Sequence, residues 1–392
     1  MRYDVCVVTG TRADYGLLRQ LLFKLRDSEE INLMLLVTGS HLSERFGNTQ
    51  QEIIDDGFSK FFKIDIPIDD DSKEGVAYSA GIALAKFAEF FRDHKPELLI
   101  VLGDRFETFS AAAAAHLEGI PIAHISGGDI TEGAVDDAIR HCITKMSVLH
   151  FSGCEQSRRR IIQMGEYPDT VYNVGEPGVE NCLNLDLLSR DKLAGDIGFN
   201  AIKGDYAVVT FHPVTMENNT TEKQVYELIK AMDYFPNMSY IITLANADAG
   251  GRRINEIWIK EGKMRNNWKV VPSLGVLRYL SALKYCKLVI GNSSSGIVEA
   301  PSMKIPTVNI GNRQQGRMMA KSVICCKPEY ETIKNAIEIG MTDEFKQKAA
   351  NIISPFGDGT TSDQIMKKII KYLEIEKKST NEKHFYDINY ED

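Results

Sequence analysis

The sequence predicts an α/β protein made of two Rossmann-like domains, one after the other along the chain. The first observation is length: 392 residues are too many for one ordinary core and suit two domains of roughly 200 residues each. The second is that short apolar runs rich in β-branched residues alternate with longer amphipathic stretches. Such runs are typical of strands buried on both faces, and hence of parallel sheets covered by helices.

The strand-like runs keep one rhythm in both halves of the chain. In the first half they are YDVCVVTG, INLMLLVTG, ELLIVLGD, IPIAHISGG and VLHFSG. In the second half they are YAVVTFHP, SYIITLANAD, WKVVPS, KLVIGNSSSG and IPTVNIGNR. Between the halves, VYNVGEPGVEN contains Gly175, Pro177 and Gly178, which interrupt strand pairing and form either a hinge or a loop inside one domain.

These patterns place the domains at residues 1–176 and 177–375, followed by a polar, frayed tail at 376–392. Nearly every polar cluster comes directly after a strand. In an open parallel sheet, ligands bind outside the carboxyl ends of the strands, so such clusters converge on one crevice. With two sheets, we expect that crevice between the domains.

Composition argues against several classes of function. The net charge of -8 and the pI of about 5.6 disfavour nucleic-acid binding, which needs a basic surface. No stretch approaches the roughly 18 apolar residues of a membrane span, and MRYDVCVVTGTR does not read as a signal peptide. Seven scattered cysteines indicate free thiols in a reducing cytoplasm, without metal-ligand spacing. We expect neither a metal nor a cofactor.

Two clusters in the first half are candidates for chemistry. TGTRADYG is a glycine turn before a helix, where free N–H groups and Arg12 suit a phosphate; a plain surface turn is the alternative. VLGDRFETFS places Asp104 and Arg105 directly after a strand. Asp104 there either exchanges a proton or caps the next helix, and Arg105 is assigned to the substrate.

Two clusters in the second half are typical of nucleotide binding. GNSSSGIVEA puts Ser293 and Ser294 at a helix start, with Glu299 placed to accept the hydroxyls of a ribose. IGNRQQGR adds Arg313 after the next strand, and FHP places His212 at a strand end. Serines with an arginine indicate a diphosphate site, whereas His212 is either functional or a structural hydrogen-bonding residue.

The stretch GGDITEGAVDDAIRH, residues 127–141, is rich in acid groups. Its carboxylates are Asp129, Glu132, Asp136 and Asp137. Helical spacing predicts i,i+4 pairs of Asp136 with Arg140 and of Asp137 with His141, which is an ordinary helix start. The stretch lacks the ligand order of a calcium loop, so acid–base chemistry is the other interpretation.

Taken together, the chain resembles the hydrolysing UDP-N-acetylglucosamine 2-epimerases of the sialic-acid and nonulosonic-acid branch. The resemblance rests on TGTRADYGLL, GSHLSERFGNT, GDRFE, DDAIRH, FHPVT, GNSSSGIVEAP and NIGNRQQGR, which cover nearly the whole chain in order. It implies a glycosyltransferase-B-type fold with the active site in the interdomain cleft. It also implies elimination of UDP to a glycal, hydration to N-acetylmannosamine, and a cytoplasmic homo-oligomer, either dimer or tetramer.

The resemblance further implies roles for individual residues. Asp104 and Asp136 match catalytic carboxylates in the first domain, and His212 matches a histidine that lines the phosphate and sugar site. The implied nucleotide contacts, which make the second domain mainly the UDP-binding one, are Arg12, Ser293, Ser294, Glu299 and Arg313.

One position departs from the family pattern. Many relatives read HIEGG, with a catalytic glutamate, where this chain reads HISGG and has Ser126. Either Asp129 or Glu132 replaces that glutamate, or Ser126 binds a different substrate. The related reaction on UDP-2,4-diacetamido-2,4,6-trideoxyglucose is the alternative, and a glycosyltransferase and a non-catalytic sugar-nucleotide sensor are further rivals.

Overall fold

The computed structural model describes residues 2–70, 72–131, 135–213, 221–245, 251–375 and 383–388. Within these ranges, none of the helices combines the length and apolar character that a bilayer span requires. The chain divides into two compact units. The first comprises Met1–Asp129, Val135–Glu180 and Gly357–Asp392, and the second comprises Ile130–Ala134 and Asn181–Phe356.

The first unit is built on a seven-stranded parallel sheet in the order β3-β2-β1-β4-β5-β6-β7. Its strands are β1 (Tyr3–Thr9), β2 (Ile31–Thr38), β3 (Phe62–Ile64), β4 (Leu98–Leu102), β5 (Ile122–Ile125), β6 (Leu149–Ser152) and β7 (Val171–Asn173). The helices that follow in chain order are α1 (Arg12–Asp27), α2 (Gln50–Asp55), α3 (Lys73–His94), α4 (Phe106–Leu117), α5 (Val135–Met146) and α6 (Glu155–Gln163). Helix α7 (Pro177–Asn184) contains the boundary between the two units, after Glu180.

Strand β4 shows why the apolar runs fold this way. Leu98, Ile100 and Leu102 pack into the core on one face of the sheet, whereas Leu99 and Val101 pack into a separate core on the other. Because successive side chains of a strand point to opposite faces, a continuous apolar run requires cover on both sides. Each such burial contributes about 1.5–3 kcal/mol, which favours the two-sided arrangement.

The second unit repeats this design with a six-stranded parallel sheet in the order β10-β9-β8-β11-β12-β13. Its strands are β8 (Tyr206–Thr210), β9 (Ser239–Thr243), β10 (Trp268–Val271), β11 (Leu288–Gly291), β12 (Thr307–Ile310) and β13 (Val323–Cys326). Its helices are α8 (Arg190–Ile197), α9 (Thr221–Asp233), α10 (Gly251–Gly262), α11 (Gly275–Tyr285), α12 (Glu299–Ser302), α13 (Tyr330–Met341) and α14 (Asp343–Ala350). The predicted pair of parallel α/β domains is confirmed.

The last helix, α15 (Thr361–Glu374), belongs to the first unit. Ile365, Ile369 and Leu373 lie in the same core as the leucines of α1. The carboxylate of Glu180 accepts the Ser362 N–H at 2.7 Å and so holds the helix start. The expected domain boundary near residue 375 is corrected to 356, because helical periodicity predicts an apolar face but not which sheet it covers.

The sequence predicts a frayed tail after α15, yet residues 383–388 lie against the first unit. The Tyr386 N–H donates to the Gly165 carbonyl at 2.9 Å. The ammonium of Lys383 lies 2.8 Å from the buried carboxylate of Glu166 and donates to the Ser147 carbonyl at 2.6 Å. A buried carboxylate strongly favours an opposite charge, which explains why this polar segment is held in place.

Both sheets have a switch point, where the chain starts in the middle and builds outward in both directions. In the first sheet this point lies between β1 and β4, and in the second it lies between β8 and β11. Crossover connections leave in opposite directions there, so the loops at the carboxyl ends separate and expose a crevice. Asp104 follows β4 and Asn292 follows β11 at these points.

Candidate active site

In the second unit, the polar groups gather where β8 and β11 end side by side. The Asn292 side chain spans the two strand ends. Its Oδ1 accepts the backbone N–H of His212 at 2.7 Å, and its Nδ2 donates to the His212 carbonyl at 2.9 Å. These two bonds fix the backbone of His212 at the switch point of the sheet, at the strand end where its sequence position predicts it.

The imidazole of His212 is buried and neutral at pH 7. Burial, followed by the positive charge of Arg313, lowers its pKa to about 4. Its Nδ1 is buried and has no hydrogen-bond partner within the described residues. A buried ring nitrogen without a partner, beside an arginine, is suited to bind an oxygen of an anionic ligand.

Arg313 and Gln314 tie the loop after β12 to the end of β11. Arg313 Nη1 donates to the Asn292 carbonyl at 3.1 Å, and Gln314 Nε2 donates to the same oxygen at 2.9 Å. This anchoring orients the Arg313 guanidinium beside His212. Its planar fork of donors matches the geometry of a phosphate.

The serine segment forms a 3-10 turn rather than the predicted start of a regular helix. Ser294–Gly296 make the turn, and the hydroxyl of Ser293 caps it by accepting the Ser295 N–H at 3.4 Å. Helix α12 begins only at Glu299 and has four residues. So short a helix has little macrodipole, so an anion here would depend on hydroxyls and turn N–H groups instead.

Glu299 lies beside the polar side chains of Ser295 and Tyr279. Burial raises the pKa of the Glu299 carboxyl, while the neighbouring Ser295 side chain and the positive charge of Arg317 oppose the rise. Its Oε2 is buried and has no partner in the described part of the chain. Such an oxygen can accept hydrogen bonds from the hydroxyls of a ribose, as the sequence pattern predicts.

In the first unit, the turn before α1 is already satisfied internally. Asp14 accepts the backbone N–H groups of Gly10 at 2.8 Å and Thr11 at 2.7 Å, and completes a capping box with Thr11. Arg12 lies 3.2 Å from Glu52. The expectation of free N–H groups for a phosphate is corrected, because Asp14 occupies them. Binding of substrate by Arg12 stays a prediction.

Asp104, at the end of β4, forms an ion pair with Arg140. The Arg140 side chain is 4% exposed and that of Asp104 is 24% exposed, so a buried cation holds a partly accessible carboxylate. The N-cap of α4 is Arg105, which pairs with Glu107 at 3.0 Å. Helix capping therefore does not explain Asp104, and its role in proton transfer stays a prediction.

The acidic stretch centres on Arg140 as well. Arg140 lies 3.6 Å from Asp137 and donates to the Asp129 carbonyl at 2.8 Å. Asp137 lies 3.5 Å from His141, the predicted i,i+4 pair. Asp136 is exposed near the start of α5, where its carboxylate can reach a ligand.

The two carboxylates proposed to replace the family glutamate differ in what can be said of them. The Asp129 carboxylate accepts a hydrogen bond from the hydroxyl of Ser157, a buried residue of α6. That contact turns the group toward the helix and makes it a poor candidate for a mobile acid or base. Glu132 lies outside the described residues.

Ser126 directly follows β5 and adopts a left-handed backbone conformation with a φ of 60°. Its N–H donates to the Phe151 carbonyl at 2.8 Å, which holds the turn against β6. Its hydroxyl donates to the Glu176 carboxylate at 2.8 Å. Ser126, the position that departs from the family pattern, is therefore in direct contact with a carboxylate from a distant part of the chain.

Three residues that organise these clusters are not among the predicted site residues. They are Glu176 and Asn292, together with Arg140, which helical spacing predicts only as the partner of Asp136. Each stands directly after a strand or one helical turn beyond an acid: Glu176 follows VYN by three residues, and Asn292 begins NSSSG. Glu176 and Asn292 both follow the carboxyl end of a strand, where ligands bind, but their hydrogen-bond partners are 50 and 80 residues away in the chain.

Among the described residues, no group of three or more His, Cys, Asp or Glu is placed to hold a metal ion. The second unit presents a neutral histidine, arginine and hydroxyls, which suit a phosphorylated ligand. The first unit presents carboxylates held by a buried arginine, which suit proton transfer.

Comparison with known proteins points to one family. Residues 23–370 match the family described as UDP-N-acetylglucosamine 2-epimerase. Over 98% of its length the chain is 38% identical to the polysialic acid biosynthesis protein P7 of Escherichia coli, of which it covers 97%. It is 36% identical over 98% of its length to the GDP/UDP-N,N'-diacetylbacillosamine 2-epimerase (hydrolyzing) of Campylobacter jejuni, of which it covers 99%.

A solved structure agrees with the fold. The UDP-GlcNAc 2-epimerase from Neisseria meningitidis bound to UDP-GlcNAc matches with a TM-score of 0.79 at 18% identity. The match covers 94% of this chain and 100% of that one. The expected glycosyltransferase-B-type fold is thereby confirmed.

Proposed function

Because the chain belongs to the UDP-N-acetylglucosamine 2-epimerase family, we propose that it hydrolyses UDP-N-acetylglucosamine to N-acetylmannosamine and UDP. The product supplies a sialic-acid-type pathway. The observation that carries the proposal is the Asp104–Arg140 pair, a partly accessible carboxylate held by a buried cation at a strand end. Proton transfer at carbon needs a carboxylate held in this way.

The second unit supplies the binding site for UDP in this proposal. His212 and Arg313 bind the diphosphate, with the hydroxyls of Ser293 and Ser294 beside them, and Glu299 accepts the ribose hydroxyls. UDP leaves as a polyanion, so preorganised N–H donors and a guanidinium lower the free energy of its departure. The partnerless Nδ1 of His212 and Oε2 of Glu299 support these roles.

The first unit supplies the carboxylates for elimination. In the α-linked gluco sugar the C1 oxygen and the C2 hydrogen are trans-diaxial, which suits anti elimination. The C1–O bond breaks and its electron pair leaves with UDP. The C2 proton passes to Asp104, and the C2–H electron pair forms the double bond of the glycal. Negative charge near C1 also stabilises the oxocarbenium character that precedes proton loss.

Hydration then completes the reaction with inversion at C2. Water adds to C1, and C2 takes up a proton on the face opposite to the one that lost it, which gives the manno configuration. A second carboxylic acid is therefore required on that face, and Asp136 is our candidate. Its exposed position near the start of α5 supports this assignment.

A second substrate has a specific observation in its favour. The Campylobacter jejuni relative is named for N,N'-diacetylbacillosamine. In addition, this chain has Ser126 where the resemblance to the family implies a larger glutamate. A smaller side chain leaves room for a 4-acetamido group. The alternative is therefore the same reaction on UDP-2,4-diacetamido-2,4,6-trideoxyglucose.

We also propose a cytoplasmic homo-oligomer, either a dimer or a tetramer. All seven cysteines are free thiols, and four of them are buried, which supports a reducing compartment. Analytical ultracentrifugation at micromolar concentration tests the oligomer, and a monomer would contradict it.

The decisive experiment incubates the protein with each UDP-sugar in D₂O, without any acceptor sugar. We expect release of UDP together with a manno product that carries deuterium at C2, followed by NMR. Release of UDP only when an acceptor is added would indicate a glycosyltransferase. Binding of both sugars without turnover would indicate a sensor, and either result would overturn the proposal.

A further inference from the structure

A glycine lets the side chain of Glu176 cross the end of one strand to reach another. Ser126 follows β5 and Glu176 follows β7, with β6 between them in the sheet. Glu176 Oε2 nevertheless accepts the Ser126 hydroxyl at 2.8 Å. The carboxylate thus lies above the end of β6, where Gly153 follows that strand.

Gly153 leaves the space that this crossing needs. A Cβ atom built on Gly153 would lie 1.7 Å from Glu176 Oε1 and 2.3 Å from its Cδ. Any other residue at 153 would displace the carboxylate. The backbone of Gly153 is not in the left-handed region, so the missing side chain, rather than unusual backbone freedom, is what the site uses.

The backbone of Glu176 is anchored where the side chain starts. Its carbonyl accepts the Val179 N–H at 2.9 Å and the Thr361 hydroxyl at 3.4 Å. Pro177, the next residue, begins α7 with a fixed φ. The carboxylate is therefore carried on a rigid strand-to-helix turn, as a group in proton transfer should be.

The proposed reaction includes a step that neither Asp104 nor Asp136 can catalyse. They serve the two faces of C2, but the water that adds to C1 must also lose a proton. We propose that Glu176 is the catalytic residue that activates this water, and that Ser126 positions its carboxylate. This inference rests on the proposed function.

The step balances as follows. An O–H bond of the water breaks and its proton passes to the Glu176 carboxylate. The water oxygen bonds to C1, while the electron pair of the C1–C2 double bond takes up the proton delivered by Asp136 at C2. The Ser126 hydroxyl holds Oε2 of this carboxylate throughout.

The test separates elimination from hydration. Glu176→Gln removes the base and keeps the shape. Gly153→Ala displaces the carboxylate and alters no functional group. Gly81→Ala is the matched control, because a Cβ there meets no atom within 4 Å in exposed helix α3. UDP is measured by a coupled assay, the sugar products by NMR, and thermal unfolding checks the fold.

We expect both variants to release UDP within several-fold of the wild-type initial rate while the glycal accumulates, with hydration slowed by roughly 10²–10⁴. The wild type and Gly81→Ala should form UDP and manno product in equal amounts. Equal amounts in Glu176→Gln would overturn the inference, and so would a parallel loss of both steps, which marks a structural role. If Gly153→Ala does not fold, Glu176→Gln decides alone. A wild type that releases no UDP refutes the proposed function instead.

Discussion

The guanidinium of Arg140 joins the carboxylate of Asp104, at the end of β4, to the carbonyl of Asp129, at 2.8 Å in the next loop. One buried cation therefore sets the position of a strand-end acid and of the loop beside it. Removal of its charge would leave Asp104 and Asp137 without their cation. Replacement of Arg140 would therefore change the geometry of both loops, whereas a substitution at Asp104 can leave them unchanged.

Asp104→Asn should lower turnover by roughly 10²–10⁴ and change the affinity for UDP by no more than several-fold. The amide keeps a hydrogen bond to Arg140 but cannot accept the C2 proton. The rate of UDP release and calorimetric titration with UDP measure the two effects. Asp93→Asn, an exposed position on α3, is the control. A near-normal rate would remove Asp104 from the mechanism.

Arg313→Ala should weaken binding of UDP by about ten- to a hundredfold, because a charge-assisted hydrogen bond contributes about 1.5–3 kcal/mol. Arg252→Ala, whose side chain is 94% exposed in the same unit, should leave affinity unchanged. Calorimetric titration compares the two variants. Equal affinities would place Arg313 outside the nucleotide site.

Stability should decrease as the pH falls from about 6.5 to about 4, in part because of His212. The unfolded chain binds a proton on this histidine below its ordinary pKa of 6.5, whereas the folded state resists it until about 4. The unfolded state is therefore favoured at low pH by about 3 kcal/mol from this one group. His212→Asn should flatten the pH dependence of the unfolding midpoint without UDP. Curves that run parallel to the wild type would contradict this.

Ser126→Glu should reduce kcat/KM for UDP-2,4-diacetamido-2,4,6-trideoxyglucose at least about tenfold more than for UDP-N-acetylglucosamine. A longer side chain excludes the 4-acetamido group and leaves its hydrogen bonds unmade. Ser126→Ala, which is smaller, should not discriminate between the substrates. Equal losses on both substrates for Ser126→Glu would mean that residue 126 does not set the sugar.

Lys383→Ala should lower the midpoint of thermal unfolding. The variant loses a contact of 2.8 Å to Glu166 and bonds to the carbonyls of Lys145 and Ser147, together worth about 1.5–3 kcal/mol or more. Lys60→Ala, exposed in the same unit, serves as the control. Differential scanning calorimetry that finds the two variants equal would show that the tail does not stabilise the unit.

The strand pattern predicted both sheets because a continuous apolar run such as LLIVL is favourable only in a strand whose two faces are both covered. The same logic located Asp104 and His212 at strand ends. The strand pattern did not indicate that Asp14 accepts hydrogen bonds from the N–H groups before α1, because a capping aspartate and an anion site share one sequence pattern.

Contacts over long chain distances escaped prediction for another reason. Glu176 reaches Ser126 across the end of a strand because Gly153 has no side chain. Hydrophobic periodicity does not indicate which positions must lack a side chain. Likewise, the apolar face of α15 fits either unit on pattern alone. The particular packing with α1 decides between them.

The return of Gly357–Asp392 to the first unit has a consequence during synthesis. The ribosome releases all seven strands of the first sheet early, but α15, which covers part of their core, is made only after the second unit. Until then α1 lacks its contacts with Ile365, Ile369 and Leu373, whereas all residues of the second unit have already been synthesised. The core around α1 therefore stays incompletely covered until α15 has been made. Truncation near residue 356 would remove α15 and destabilise the first unit, although that unit is made first.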